Sequence, residues 1–236
     1  MDSGGRTIVL TGVSRGLGAA LFDQLVTAGD RVMALGRTFT AAQRDLAEAQ
    51  RDRLRLCTVD LADAYKIPGA AALSEFFAPA ANRPVMLVHN AADISPLGFI
   101  GSVGAAEIAR SVAVNLTAAM VLTNSFLAAR QPTAPSRIIL VSSRSAEFAK
   151  AGQATYCATK SGAERFFESV AMETGEDPGI QVFTVRTPAM DTDMQADLRG
   201  AVGLPDRDQF IDRYEHGQLS EPAEVAAKIV AEYLNI

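Results

Sequence analysis

Two side chains four positions apart, Tyr156 and Lys160, carry the sharpest chemical signal in this chain of 236 residues. On a helix that spacing brings both onto one face, about one turn apart. Upstream, at the end of the apolar run Ile138-Ile139-Leu140-Val141, stands the pair Ser142-Ser143. A hydroxyl at a strand end, a phenol and an ammonium together form a site able to give a proton to a carbonyl oxygen. An unperturbed phenol titrates near pH ~10, and a cation about 4–6 Å away stabilises the phenolate. Bringing that phenol toward ~7 takes roughly 4 kcal/mol, and Lys160 supplies part of it. Tyr-x-x-x-Lys pairs also arise by chance on amphipathic helices, so the rest of the chain has to support the reading.

The segments around this pair read as alternating strands and helices. Thr7 to Leu10 is an apolar, β-branched run that ends in Thr11-Gly12-Val13-Ser14-Arg15-Gly16-Leu17-Gly18, and a helical pattern with Leu17, Leu21, Leu25 and Val26 on one side follows. Strand, glycine turn and helix is the context in which such glycines bind a dinucleotide. Gly12 permits the tight turn, Gly16 lets the backbone approach a pyrophosphate, and Gly18 lets helix and strand pack closely. The helix start offers free N–H groups to the anion. The second strand, Arg31 to Leu35, ends at Gly36-Arg37. An acidic residue there would bind a ribose hydroxyl, whereas Arg37, with Arg15 in the turn, favours a 2′-phosphate and hence NADP over NAD.

Further along, a polar helix over 40–52 precedes a third strand, Leu54 to Val59, ending at Asp60-Leu61. Asp60 either accepts a hydrogen bond from an adenine amine or caps the next helix. A helix near 69–82, a fourth strand Val85 to Val88 and the small-residue stretch His89-Asn90-Ala91-Ala92 come next. A long helix pattern over Ser102 to Ala129 contains Asn115 on an otherwise apolar face, where a buried amide must find partners. It therefore locks a kink or holds a water. His89 reads as a satisfied structural residue. The fifth strand is Arg137 to Val141, the helix with Tyr156 and Lys160 spans 153–175, and the sixth strand is Ile180 to Val185. Residues 187–220 show little periodicity and read as a substrate lid. A last helix, Glu221 to Leu234, takes Ser220 as its N-cap. Throughout 1–236 this predicts a single α/β domain: one doubly wound parallel sheet, Rossmann-like, with helices on both faces and ligands at the carboxyl ends of the strands.

Composition narrows the function classes. Lys+Arg 22 against Asp+Glu 27, a net charge of -5 and no basic tract argue against a nucleic-acid binder. Two Cys a hundred positions apart and two His offer no metal-ligand spacing, so no metal is expected. The start Met1-Asp2-Ser3-Gly4-Gly5-Arg6 lacks a signal peptide's apolar run, and no membrane span is expected. A cytoplasmic protein is the default.

Taken together, Thr11-Gly12-x3-Gly16-x-Gly18, Asp60, Asn90-Ala91, Asn115, Ser143 and Tyr156-x3-Lys160 resemble the short-chain dehydrogenase/reductase family in order and approximate spacing over nearly the whole chain. The resemblance implies that Tyr156 is the general acid/base and that Lys160 lowers its pKa while contacting the nicotinamide ribose. It also implies that Ser143 holds the substrate oxygen and that Asn115 keeps a water in a proton relay. Asn115-Leu116-Thr117, Tyr156-Cys157-Ala158 and Met190-Asp191-Thr192-Asp193-Met194-Gln195 are similar to sepiapterin and benzil reductases, with Thr192 on the nicotinamide carboxamide. Pro188-Ala189 stands where the family commonly has Pro-Gly, and His89-Asn90-Ala91-Ala92 where it has Asn-Asn-Ala-Gly. The chain stops at Ile236, soon after its last helix, so a seventh strand and tail are expected to be missing or very short. The cofactor contacts implied are Gly12, Ser14, Arg15, Gly16, Leu17, Gly18, Arg37, Asp60, Leu61, Asn90, Ala91, Tyr156, Lys160, Pro188 and Thr192.

The expected activity is NADPH-dependent reduction of a ketone or 1,2-diketone, with substrate walls from 144–152, such as Ala146, Glu147 and Phe148, from 93–99 and from the lid. An alcohol dehydrogenase working oxidatively, or an NADP-binding regulator or scaffold without turnover, are the alternatives. Relatives pair two long helices, here about 104–129 and 153–175, so a homodimer or homotetramer is expected.

Overall fold

The computed structural model describes residues 5–80 and 83–235. Met1–Gly4, Ile236 and the last two positions of the helix expected near 69–82 lie outside the described residues. Among the described residues there are six strands: β1 Thr7–Thr11, β2 Arg31–Gly36, β3 Leu54–Thr58, β4 Val85–His89, β5 Ser136–Ser142 and β6 Ile180–Arg186. They form one sheet in the order β3-β2-β1-β4-β5-β6, and every pairing is parallel. β1 and β4 are buried along their whole length, as unbroken apolar runs in the middle of a parallel sheet must be. The strand order reverses at the β1–β4 boundary, which opens a crevice at the carboxyl ends of those strands.

Helices cover both faces. On one, α1 (Gly16–Thr27) and α9 (Pro222–Ile229) bury Leu21, Phe22, Leu25, Ala226 and Ile229 against Ile8, Leu10, Val32 and Val88. On the other, α3 (Ala70–Phe77), α5 (Ala118–Ala129) and α6 (Ala154–Glu173) bury Phe76, Leu122, Phe126 and Phe167 against Val9, Leu87 and Ile138. Fully burying one such phenylalanine contributes on the order of 2–3 kcal/mol. α2 (Ala41–Ala49) begins on a capping box. Thr40 accepts from the Gln43 backbone N–H, and the Gln43 side chain accepts from the Thr40 N–H.

Three expectations need correction. The long helix over 102–129 is α4 (Ala105–Val112), a π-helical turn Ala113–Thr117 and then α5, so Asn115 sits in a one-turn bulge. The continuous segment Ala105–Ala129 is 25 residues long and reaches a mean hydropathy of 1.6 over an 18-residue window, long and apolar enough to cross a membrane by length and composition alone. Its buried Ala118, Leu122, Phe126 and Ala129 mark it as a core helix packed on the sheet.

The segment 187–220 is not aperiodic in structure. It holds α7 (Asp193–Gly200) and α8 (Arg207–Glu215), each with a single buried side chain, Leu198 and Phe210. One buried position per helix leaves no apolar period to read. Ser220 does not cap α9. Its backbone joins Ala189 and Asp191 (Ser220 N to Ala189 O 2.9 Å, Asp191 N to Ser220 O 3.1 Å), and the cap position is Glu221, with Pro222 first in the helix.

Candidate active site

β1 delivers the chain into the glycine turn, and β4 holds that turn from the side. The Asn90 amide donates to Thr11 O (3.1 Å) and Gly12 O (2.9 Å), while Thr11 Oγ1 accepts from the backbone N–H groups of Asn90 and Ala91, both at 3.0 Å. Asn90 is thus a clamp between two strand ends, a role that its place in a small-residue stretch did not reveal. Gly12 has φ 74°, and a Cβ there would lie 2.8 Å from Ala91 Cα. A Cβ on Gly18 would lie 1.8 Å from Gly12 O, so only glycine lets α1 meet the turn. α1 starts at Gly16 without a side-chain cap, leaving its first N–H groups for an anion. The turn therefore fits a dinucleotide pyrophosphate.

At the ends of β2 and β3 the two arginines part company. Arg15 Nη1 meets Asp193 Oδ2 at 3.0 Å, both side chains 63% exposed. Such a pair is worth at most about 1 kcal/mol. Arg37 is exposed, lines the cleft and has no ion pair among the described residues. Asp60 accepts from Arg110 Nη1 (3.0 Å) and Nη2 (3.2 Å) and from the Ala62 N–H (3.0 Å), and these bonds hold its carboxyl below the usual range. The cap of the next helical turn is Asp63, whose carboxylate accepts from the Tyr65 N–H, so the capping alternative for Asp60 fails.

Tyr156 and Lys160 are 5% and 3% exposed on α6. Lys160 Nζ donates to Val141 O at 3.0 Å and lies 5.9 Å from the Tyr156 ring centre. One turn further, Glu164 accepts two hydrogen bonds from Arg186, at 2.9 and 2.6 Å. Burial pushes the Lys160 ammonium down to about 8 against the pull of Glu164, and it pushes the Tyr156 phenol up to about 12 against the neighbouring Ser143 hydroxyl. The sequence reading expected Lys160 to acidify the phenol. In this fold, burial raises the phenol instead, and the opposing group is the Ser143 hydroxyl.

Ser143, at the end of β5, shares the cleft with Tyr156 and Lys160, and its Oγ accepts from the Ser145 N–H at 3.2 Å. Asn115 is not in that cleft. Its Oδ1 accepts from Asp93 N (2.7 Å), and its Nδ2 donates to Asp93 O (2.8 Å) and Thr159 Oγ1 (3.1 Å). It borders a side cavity of about 10 Å³ that Lys160 also lines, borderline for one water. His89 is structural: Nε2 pairs with Thr123 Oγ1 at 2.9 Å, the ring lies edge-on to Phe167, and burial pushes its pKa down to about 3.

One cleft of about 920 Å³ joins the glycine turn to Ser143, Tyr156 and Lys160. Ser14, Leu17, Leu61, Asn90, Ala91, Pro188 and Thr192 line it as well. Of the expected substrate walls, Phe148, Asp93 and Ile94 face it, while Ala146 and Glu147 do not. Leu198, Leu204 and Phe210 form an apolar cluster with Ile94 and Tyr156, which sets α7 and α8 over the phenol. Lys150, inside the expected 144–152 wall, and Arg213, inside the expected lid, line it too, and Gln153 is the addition that the sequence reading had not placed there. Its position three residues before Tyr156, at the start of the same helix, was the signal that could have found it.

The family model described as short chain dehydrogenase matches residues 6–202. The chain is 28% identical over 231 residues to a benzil reductase ((S)-benzoin forming) of Bacillus cereus, covering 95% of this chain and 92% of that protein. It is 30% identical over 199 residues to the sepiapterin reductase of Mus musculus, covering 79% and 75%. A solved metagenomic short-chain oxidoreductase in complex with NADP is 26% identical, with a TM-score of 0.70 over 96% of this chain and 90% of that one.

Proposed function

For a chain that belongs to the short-chain dehydrogenase family, we propose the activity of an NADPH-dependent carbonyl reductase acting on a ketone or 1,2-diketone, with Tyr156 as general acid. The observation that carries this reading is the single cleft containing the glycine turn, Ser143, Tyr156 and Lys160. Bound NADPH would supply the hydride to the carbonyl carbon. Arg37, exposed and without an ion pair among the described residues, supports the choice of the 2′-phosphorylated cofactor. Arg15 is free to join it at little cost, because its pair with Asp193 is a solvated one.

The proton chemistry follows from burial. A phenol pushed up to about 12 is fully protonated at neutral pH, as a proton donor must be. Ser143 donates a hydrogen bond to the substrate oxygen and aligns it with the phenol. Lys160, pushed down to about 8, still carries its charge at pH 7 and stabilises the phenolate that remains after transfer. Asn115 holds the Asp93 backbone and, through the small cavity it shares with Lys160, gives the spent phenolate a route to water. The α7–α8 pair, seated on the apolar cluster of Leu198, Leu204 and Phe210, would act as a lid that excludes bulk water from the carbonyl. A cytoplasmic homodimer or homotetramer paired through α4–α5 and α6 completes the reading.

The test is NADPH oxidation with a neutral 1,2-diketone, repeated with NADH. Turnover with NADPH that Tyr156→Phe reduces by roughly 100-fold or more supports the mechanism. A Tyr156→Phe enzyme as fast as wild type sinks it.

A further inference from the structure

The polar part of the cleft wall beside Tyr156, set against the apolar Ile94, Phe148, Leu198 and Phe210, carries Gln153 and the cations Lys150, Arg144 and Arg213. Lys150 and Gln153 belong to one turn leading into α6, in which Gln153 N donates to Lys150 O at 3.2 Å. Gln153 is 1% exposed, and its Nε2 has no hydrogen-bond partner among the described residues. An unmet buried amide costs about 1–3 kcal/mol, so a site that keeps one is built to receive an acceptor. Three residues later on the same helix stands Tyr156, so that acceptor must sit beside the reacting carbonyl. Lys150, Arg144 and Arg213 line the same end, and none has an ion pair among the described residues. Lys150 is half-buried, and burial, Arg213 and Arg144 all push its ammonium down while Cys157 and Asp206 oppose them.

The acids of the cleft do not balance this wall. Asp60 and Asp93 are engaged by Arg110, and Asp193 by Arg15, which leaves Asp197. The chain as a whole carries a net charge of -5, so the surplus of cations is local. Low-dielectric walls lined by one sign of charge focus the field on a ligand of the opposite sign.

Resting on the carbonyl-reductase reading, we infer that the substrate carries an oxoanion close to its carbonyl, with Gln153 donating to an oxygen next to the reacting carbon and Lys150 pairing with the charge. An oxo acid fits this spacing, and a phosphate monoester is the other source of the same chemistry. In the reaction the C=O π bond breaks, hydride from NADPH forms the new C–H bond and the Tyr156 proton goes to oxygen. The oxoanion is unchanged and NADP⁺ leaves. Lys150 and Gln153 are thus specificity residues.

The experiment uses the full chain with NADPH and two matched pairs: phenylglyoxylate against its methyl ester, and dihydroxyacetone phosphate against dihydroxyacetone. The expected result is a kcat/KM for one of the anions that exceeds its neutral partner's by about tenfold or more. The pair showing the excess identifies the source, carboxylate or phosphate. Lys150→Met should collapse that ratio, Lys150→Arg should keep it, and raised salt should narrow it. The ratio is insensitive to a general loss of folded enzyme. Neutral partners reduced as well as the anions, or a ratio untouched in Lys150→Met, overturns the inference and leaves the reductase reading standing. No reduction of these or of neutral diketones sinks the reductase reading, and this inference with it.

Discussion

Asn115 grips the backbone of Asp93 at both ends: its Oδ1 accepts from the Asp93 N–H at 2.7 Å, and its Nδ2 donates to the Asp93 carbonyl at 2.8 Å. A side-chain amide here copies the pairing of a neighbouring strand. It does so where β4 has ended and the chain must cross the cleft. The π-helical turn Ala113–Thr117 places Asn115 in this role.

Asn115→Ala leaves the Asp93 N–H without its partner and the Asp93 carbonyl with only the long bond from Ser111 Oγ at 3.5 Å. The expected cost is about 2–4 kcal/mol for two lost bonds at a buried site. Urea unfolding of the variant should show a lower midpoint with an unchanged m-value. An unaltered midpoint would remove Asn115 from the architecture of the site.

Gly18→Ala puts a methyl 1.8 Å from Gly12 O and 2.4 Å from the Asn90 amide, and neither can move without opening the glycine turn. Loss of NADPH binding by fluorescence titration is expected, with a fall in Tm. Gly200→Ala is the control: a Cβ there meets nothing within 4 Å, so Tm and binding should both hold.

Arg37→Ser removes a guanidinium proposed to hold the 2′-phosphate. Charge-assisted hydrogen bonds of about 1.5–3 kcal/mol correspond to roughly 10- to 100-fold in KM for NADPH. KM for NADH should stay near its wild-type value, and the NADPH effect should shrink with added salt. Equal changes with both cofactors would place Arg37 away from the phosphate.

The buried ammonium predicts a pH dependence of stability. Lys160 titrates at about 8 when folded, against 10.5 for an unperturbed lysine. Between those values the unfolded chain binds more protons than the native one, so stability rises with pH across this window. The full span is on the order of 3 kcal/mol. Tyr156, at about 12 when folded against 10.0, works the other way: above about pH 10 its contribution falls as pH rises. Urea midpoints compared at pH 8 and pH 10 should show the rise in wild type and a flatter profile in Lys160→Met. The same slope in both proteins would mean that Lys160 is not the group that titrates.

Local spacing was enough to read the glycine turn, the Tyr156–Lys160 face and all six strands, because each depends on residues within one or two turns or on an unbroken apolar run. Other features were hidden for a common reason: their partners are distant in the chain. Asp60 meets Arg110 fifty positions on, Arg15 meets Asp193, and Asn90 meets Thr11 and Gly12. α7 and α8 escaped notice because their stability comes from one buried side chain each, set into a cluster shared with Tyr156.

The amino-acid sequence by itself determined which groups could do chemistry here and the alternation that sets them at the carboxyl edge of a parallel sheet, since periodicity and glycine sterics are local properties. Only the tertiary structure decided how those groups are tuned. Burial, which no local pattern encodes, raises the Tyr156 phenol, lowers the Lys160 ammonium and, among the described residues, leaves the Gln153 amide without a partner beside cations that form no ion pair. Desolvation depends on everything that packs around a group, so it exists only once the whole chain has closed over it.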